Sequence, residues 1–251
     1  NEEDFTTDRL VAMDILHQPE RVIIEYNGMW LVSNFEKMQL PTGWGVEQQI
    51  TCVDGSTFQM YMANMKSIFM DMIKNTDMVI FNRCKKEDPL PTYRRGIKVA
   101  NQRAEVIFED EEGELGDIFQ DEMPFDMNAP VIEILPEDYG IWFVDAMDHP
   151  ENYEGKTVKF KARVMKPRGM GSKFFVPGRT AMTCCADDTT FLGYVCKSAY
   201  APKLTPGEWV EVTAKVGIEK RNEYQGEEGI VLDAEHVEQC DPLEDEMVYF
   251  N

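Results

Sequence analysis

The order of apolar and polar positions divides the chain into two stretches with different periods. In the first, residues 21–27, 48–54, 77–82 and 104–108 are short runs rich in β-branched and aromatic side chains, the first two closing on Gly28 and Gly55. Between them apolar residues recur at Phe58, Met62, Met65, Phe69 and Met72, which predicts a helix over 57–74. A second helix is predicted over about 91–101, and a short one over 8–16 that Pro19 stops. Strands alternating with helices of this length predict βαβ units and a parallel sheet, its strands buried on both faces.

The second stretch has a strand period. Runs at 157–165, 173–176, 180–184, 191–196, 209–216 and 230–238 are punctuated by Gly and Pro and preceded by a short helical pattern at 137–147. Many short strands of this kind predict a small sandwich or barrel. The organisation expected is an α/β domain over 1–108, an acidic linker over 109–129, and an all-β domain over 130–251 with an acidic tail.

Composition sharpens this picture. The 251 residues carry 46 Asp+Glu against 25 Lys+Arg, a formal charge of −21, with 43% apolar residues. That is enough to bury a core, and the acid excess argues against a chain devoted to gripping phosphate backbones. The charge is unevenly placed, however. Residues 109–138 hold twelve acids and no Lys or Arg, and the last fifteen residues hold five acids and no base. The two folded bodies are therefore nearly neutral, and the argument against nucleic acid weakens for the second. No apolar run approaches the roughly 18 residues of a membrane span, and no signal-peptide pattern is present. Six cysteines at this density, two of them adjacent, fit a reducing cytoplasm better than a disulfide framework.

In the first stretch Val22-Ile-Ile-Glu25-Tyr-Asn-Gly28, Cys52-Val-Asp54, the helix 57–74 and Asp77-Met-Val-Ile-Phe-Asn82-Arg83-Cys84 follow one another. Together they resemble CobW/HypB/UreG-type P-loop GTPases over about residues 1–108. The resemblance implies a GTPase-like parallel sheet, with Glu25 and Gly28 on the Mg²⁺ and phosphate side and Asn82 reading the base of GTP. Two departures stand out: Arg83 replaces the family's Lys, and Lys85 stands where the base-reading Asp belongs, yet a cation cannot accept hydrogen bonds from guanine. No G-x-x-x-x-G-K-[ST] loop occurs in the sequence. The chain, which begins with Asn1, is therefore expected to be the C-terminal part of a longer protein. It should not hydrolyse GTP alone, no catalytic residue is assigned, and the P-loop strand should leave a gap between 21–27 and 48–54. Such an incomplete sheet could also pair into an oligomer.

In the second stretch Gly178-Arg179-Thr-Ala-Met-Thr-Cys184-Cys185-Ala-Asp187, Leu192-Gly193-Tyr-Val-Cys196, Gly207-Glu-Trp209-Val-Glu-Val-Thr213 and Val248-Tyr-Phe250 resemble the YcgQ-like, permease-associated domain over about 130–251. The resemblance implies an OB-like barrel. CobW-type relatives add metal delivery, zinc especially, to a client protein or permease. Cys184, Cys185 and Cys196 are the candidate Zn²⁺ ligands, because thiolates suit tetrahedral zinc. Against this, successive strand residues face opposite ways. A turn near 187–188 would also put Cys196 opposite Arg179 or Thr180, about 14 Å along the strand from the pair. Buried structural thiols are the alternative.

Lys161, Arg163, Lys166, Arg168, Lys173 and Arg179 with Phe174 and Phe175 interleave cations and aromatics, as single-strand binders do, or form a hairpin with core Phe and solvated cations. Arg94, Arg95, Lys98 and Arg103 read as a solvated helix face. Three functions follow: an accessory of a metal-handling GTPase, a non-catalytic interaction scaffold, and an OB module for an anionic ligand or single-stranded nucleic acid. Of these the metal-handling accessory is favoured and nucleic acid disfavoured.

Overall fold

The computed structural model describes residues 2–116, 123–183 and 189–249, which group as two compact units. One comprises Asn1–Leu90 with Ala100–Asp117, the other Pro91–Val99 with Ile118–Asn251. No helix among the described residues is long and apolar enough to cross a membrane.

In the first unit, helix α1 (Thr7–His17) is capped by the Thr6 hydroxyl, which accepts from the Arg9 N–H at 3.4 Å. It ends where Gln18 turns left-handed ahead of Pro19. A one-and-a-half-turn helix α2 (Val32–Glu36) precedes strand β1 (Ile50–Asp54). The Asp54 carboxylate takes the Ser56 N–H (3.1 Å) and hydroxyl (2.6 Å) and so turns the chain towards helix α3 (Phe58–Ile73). Helix α3 is kinked at Met65, where the backbone leaves the helical region, and the Asn64 amide donates back to the Met60 carbonyl at 2.7 Å. Strand β2 (Met78–Asn82) and strand β3 (Glu105–Phe108) follow, while helix α4 (Leu90–Ala100), between them in sequence, groups with the second unit. The strands form a parallel sheet in the order β1-β2-β3.

Two sequence expectations are corrected in this unit. Residues 21–27 form no strand, and Ile23 is 90% exposed. Among the described residues no backbone hydrogen bond joins that run to β1, and a β-branched run without a ladder partner has nothing to hold it as a strand. The two faces of the sheet are also unequally covered. Val53, Val79, Phe81 and Phe108 are buried, whereas Cys52 and Ile50 on the opposite face of β1 are exposed.

The second unit is a closed five-stranded barrel with additions. After β4 (Ile132–Glu133), a 3₁₀ turn at Pro136–Asp138 leads into helix α5 (Tyr139–Asp148), which lays Tyr139, Trp142 and Phe143 into the core. Barrel strands β5 (Thr157–Met165) and β6 (Phe174–Met182) come next, then β7 (Thr189–Gly193) and β8 (Val195–Lys197), and finally β9 (Trp209–Lys220) and β10 (Glu228–Gln239). The ring runs β5-β6-β8-β10-β9 and back to β5, antiparallel except for the parallel β8–β10 pair, an order that fits an OB-like barrel. Strand β7 extends β6, β4 adds to β5, and a last strand β11 (Met247–Val248) adds to β6. Alternation along β5 puts Val158, Phe160, Ala162 and Val164 inside, each at most 2% exposed.

Where β5 and β6 diverge, the buried Arg179 bridges the two additions. Its guanidinium donates to the Pro136 carbonyl and to the carbonyls of Asp245 (3.0 Å) and Met247 (3.1 Å), and lies over the Tyr139 ring. Arg179 is thus an internal clamp rather than part of a solvent-facing cation row, and burial lowers its pKa. Phe175 is core, as one of the sequence alternatives held.

Candidate anion-binding cleft

The carboxyl edge of the parallel sheet is where open α/β sheets hold ligands. Asp54 and Asn82 lie in register there, and the Arg83 guanidinium holds Asp54 at 2.6 Å. With the Ser56 hydroxyl bond as the larger cause, this keeps the Asp54 carboxyl below its ordinary pKa. The Asn82 side-chain oxygen is buried and has no hydrogen-bond partner among the described residues. Glu25 and Gly28 are exposed, and the backbone oxygen of Gly28 accepts from the Tyr61 hydroxyl at 3.2 Å, on helix α3. No described contact joins Glu25 or Gly28 to Asn82.

Of the candidate metal ligands only Cys196 falls within the described residues. Cys184 and Cys185 lie outside the described residues. Cys196 is in the barrel core, where burial pushes its thiol pKa far up, away from the thiolate a metal needs. Its register partner is Phe175, not Arg179 or Thr180, because the β6–β7–β8 hairpin turns earlier than the sequence suggests. Strand β6 continues from that pair to Met182, about 23 Å further along the strand. Among the described residues no group of three or more His, Cys, Asp or Glu is placed to hold a metal.

Beside α5, a cavity of about 30 Å³ at Asp145 and His149 has room for water and little more. Burial raises the Asp145 pKa although the Tyr153 hydroxyl donates to it at 2.6 Å. The residues Arg94 and Lys98, read from sequence as a solvated face, both engage Asp148, Lys98 at 3.5 Å, and their side chains are largely buried. Because the folded pKa of Asp145 exceeds the unfolded one, this carboxyl favours folding when protonated, and that contribution is lost as pH rises through the ordinary carboxylate range to the raised value. Asp145→Asn keeps an acceptor for Tyr153 and should flatten this part of the stability profile. Melting curves across acid pH would show it, with the wild type losing ground to the variant as pH rises.

The barrel offers a larger opening. The β5–β6 loop, residues 166–173, bends at Gly169 (φ +86°), and the β9–β10 loop, residues 221–227, bends at Gln225 (φ 59°) and Gly226 (φ +87°). Between the loops lies a cleft of about 560 Å³ that Arg168, Met170, Lys220, Arg221, Asn222 and Glu223 line. One wall is fixed by Tyr224, whose hydroxyl accepts from the Val195 N–H at 3.2 Å and donates to the Ile230 carbonyl. Gly229 leaves room for that ring, since a Cβ there would meet Tyr224 Cδ2 at 2.6 Å.

The cations around the barrel fall into two groups. Lys166 donates to the Ala201 (2.5 Å) and Leu204 (2.6 Å) carbonyls, Arg163 to Gly207 (3.1 Å), and Arg179 is the clamp already described. Arg221 stacks over Phe174 with its Cζ 4.4 Å from the ring centroid, and it forks onto Glu223 at 3.0 and 3.2 Å. The fork raises the Arg221 pKa and lowers that of Glu223. Arg168 and Lys220 line the cleft and have no partner among the described residues. Sequence reading flagged Arg168 but missed Lys220 and Arg221. They lie fifty residues further on, and only barrel closure places their hairpin beside the first.

The family model described as DUF1980 C-terminal domain matches residues 114–250. No curated protein matches the chain. Among solved structures, the mitochondrial single-stranded DNA binding protein Rim1 from S. cerevisiae aligns at 10% identity, over 35% of this chain and 97% of that one, with a TM-score of 0.22. An aspartyl tRNA synthetase from Entamoeba histolytica aligns at 15% identity, over 47% of this chain and 27% of that one, with a TM-score of 0.25.

Proposed function

This chain belongs to the DUF1980 C-terminal domain family, and from the geometry of its barrel we propose that it is a non-catalytic binding module that takes an anionic ligand between the 166–173 and 221–227 loops. One observation carries the reading: two cations, Arg168 and Lys220, line a cleft of about 560 Å³ and have no side-chain partner among the described residues. The volume falls within the roughly 300–1,000 Å³ of small-ligand sites. Among the lining residues three cations face the single carboxylate of Glu223, with Glu219 3.6 Å from Arg221 and Glu228 in register with Lys220. This is the OB-module function foreseen from sequence, without a stacked nucleic-acid strand as a requirement. Zinc delivery and GTP-dependent metal handling draw less support, since Cys196 is a core thiol and no described contact joins Glu25 or Gly28 to Asn82.

The test is titration of the chain with inorganic phosphate, followed by isothermal calorimetry or by the shift in melting temperature. Arg168→Glu with Lys220→Glu should weaken binding at least tenfold and leave the melting temperature without ligand unchanged, because neither side chain holds the fold. Binding that survives the double reversal would place the anion elsewhere.

A further inference from the structure

We propose that Asn27 is a site of spontaneous covalent modification, at which the Gly28 nitrogen closes a succinimide on the Asn27 side chain and water opens it to an aspartyl or isoaspartyl residue. The chain holds one Asn-Gly pair, at the end of the run 21–28 that forms no strand. In this reaction the Gly28 N–H loses its proton and its nitrogen attacks Asn27 Cγ. A C–N bond forms, the Cγ–Nδ2 bond breaks, and the side-chain nitrogen takes up the proton and leaves as ammonia. Water, the one co-reactant, then adds to either carbonyl of the ring. One opening restores the backbone beside an aspartate, and the other leaves the backbone running through the side-chain carbon.

The turn presents each participant in the state this chemistry needs. The Trp30 N–H closes residues 27–30 onto the Asn27 carbonyl at 2.9 Å. The Met29 N–H donates to Asn27 Oδ1 at 2.9 Å, which draws electron density from Cγ and holds the side chain beside the next peptide. Neither Asn27 Nδ2 nor the Gly28 N–H has a hydrogen-bond partner among the described residues, so leaving group and nucleophile are both free. Both residues are exposed, and a Cβ at Gly28 would meet nothing within 4 Å, so base can reach the N–H. The one Asp-Gly pair, Asp54-Gly55, is in the opposite state. Its carboxylate is held ionised by Ser56 and by Arg83 at 2.6 Å, which makes it a poor electrophile. Gly55 is buried, and a Cβ there would meet Cys84 Sγ at 2.7 Å. Asn222 is exposed like Asn27, but Glu223 follows it, and a side chain on the attacking residue obstructs ring closure. The isoaspartyl product lengthens the backbone by one atom ahead of Gly28. The Gly28 carbonyl accepts from the Tyr61 hydroxyl at 3.2 Å, so modification should loosen the tie between this turn and α3.

The experiment ages the full chain in mildly alkaline buffer, digests it, and follows the peptide that spans residue 27 by chromatography and mass spectrometry. Conversion at Asn27 should run at least tenfold faster than at Asn222 and yield both aspartyl and isoaspartyl forms, as opening of a ring requires. Aspartyl product alone would mean direct hydrolysis and overturn the succinimide. Gly28→Ala should slow conversion at least tenfold and leave the melting temperature unchanged, because the added Cβ has space. A comparison that needs no variant sets the native chain beside the chain in urea. Native conversion should lie within threefold of the unfolded rate, or exceed it. A native rate slower than that would show that the fold protects the pair, and the proposal falls. In the aged chain the amides of residues 26–31 should exchange faster, and unchanged exchange overturns the loosening.

Discussion

Replacing Arg179 by alanine should lower the unfolding free energy of the barrel unit by about 3–5 kcal/mol, measured by chemical denaturation. The side chain is 2% exposed, and three backbone carbonyls at Pro136, Asp245 and Met247 depend on its donors. A hydrogen bond to a charged group contributes about 1.5–3 kcal/mol, and a buried acceptor left without a donor costs about 1–3. Those costs overlap, and part of the exposed cavity can fill with water, which holds the total below a simple addition. The loss should be local in origin. Arg179 ties the 3₁₀ turn ahead of α5 to the segment leading into β11, so both additions should gain amide exchange together. Arg179→Lys should recover less than half of the loss, because a single ammonium cannot span acceptors on two segments. A variant of wild-type stability would show that the clamp contributes nothing.

Gly178→Ala should be comparably damaging, by about 3 kcal/mol or more, for a steric reason. A Cβ at Gly178 would meet the Leu192 carbonyl oxygen at 2.3 Å and Phe191 Cε1 at 2.4 Å. Its register partner across β6–β7 is Gly193, where a Cβ would meet the Pro177 carbonyl oxygen at 2.7 Å. The strands are held closer at this pair than side chains allow. Phe191 can rotate away, but the backbone carbonyl cannot. Adding Phe191→Ala should therefore relieve only part of the damage. Full rescue by Phe191→Ala, read from the thermal midpoints of the two variants, would show that the ring and not the backbone sets the constraint.

Much of the barrel was legible from alternation, because inward and outward residues differ in type along whole strands. The run 157–165 matches β5 to the residue, and helices α3 and α4 lie within one residue of their predicted ends. Pro177 and Gly178 read as a break between two strands, yet β6 passes straight through them. Pro177 needs no donor where the barrel bends, and Gly178 answers a close approach that no local pattern reveals. Conversely, residues 191–196 read as one strand and are two, divided at Tyr194, whose hydroxyl reaches inward to the Phe143 carbonyl. Residues 21–27 have the composition of a strand but no partner, and partnership is not a local property. The cleft was illegible for the same reason. Arg168 and Lys220 are unremarkable cations until ring closure sets two hairpin loops side by side.

The one parallel pair within the closed ring, β8 with β10, has a consequence for the order of assembly. The β5–β6 and β9–β10 hairpins join neighbours in sequence and can form early, with small loops to close. The β8–β10 ladder must reach across the whole β9 strand and the β5–β9 ladder across β6, β7 and β8, so the ring is sealed late. Tyr224 belongs to the early hairpin but takes its Val195 N–H from β8, outside that hairpin. A chain halted one step before sealing would thus already have both loops and most of its ladders, yet no fixed wall between them. The Tyr224 wall of the cleft is fixed only once β8 is in place.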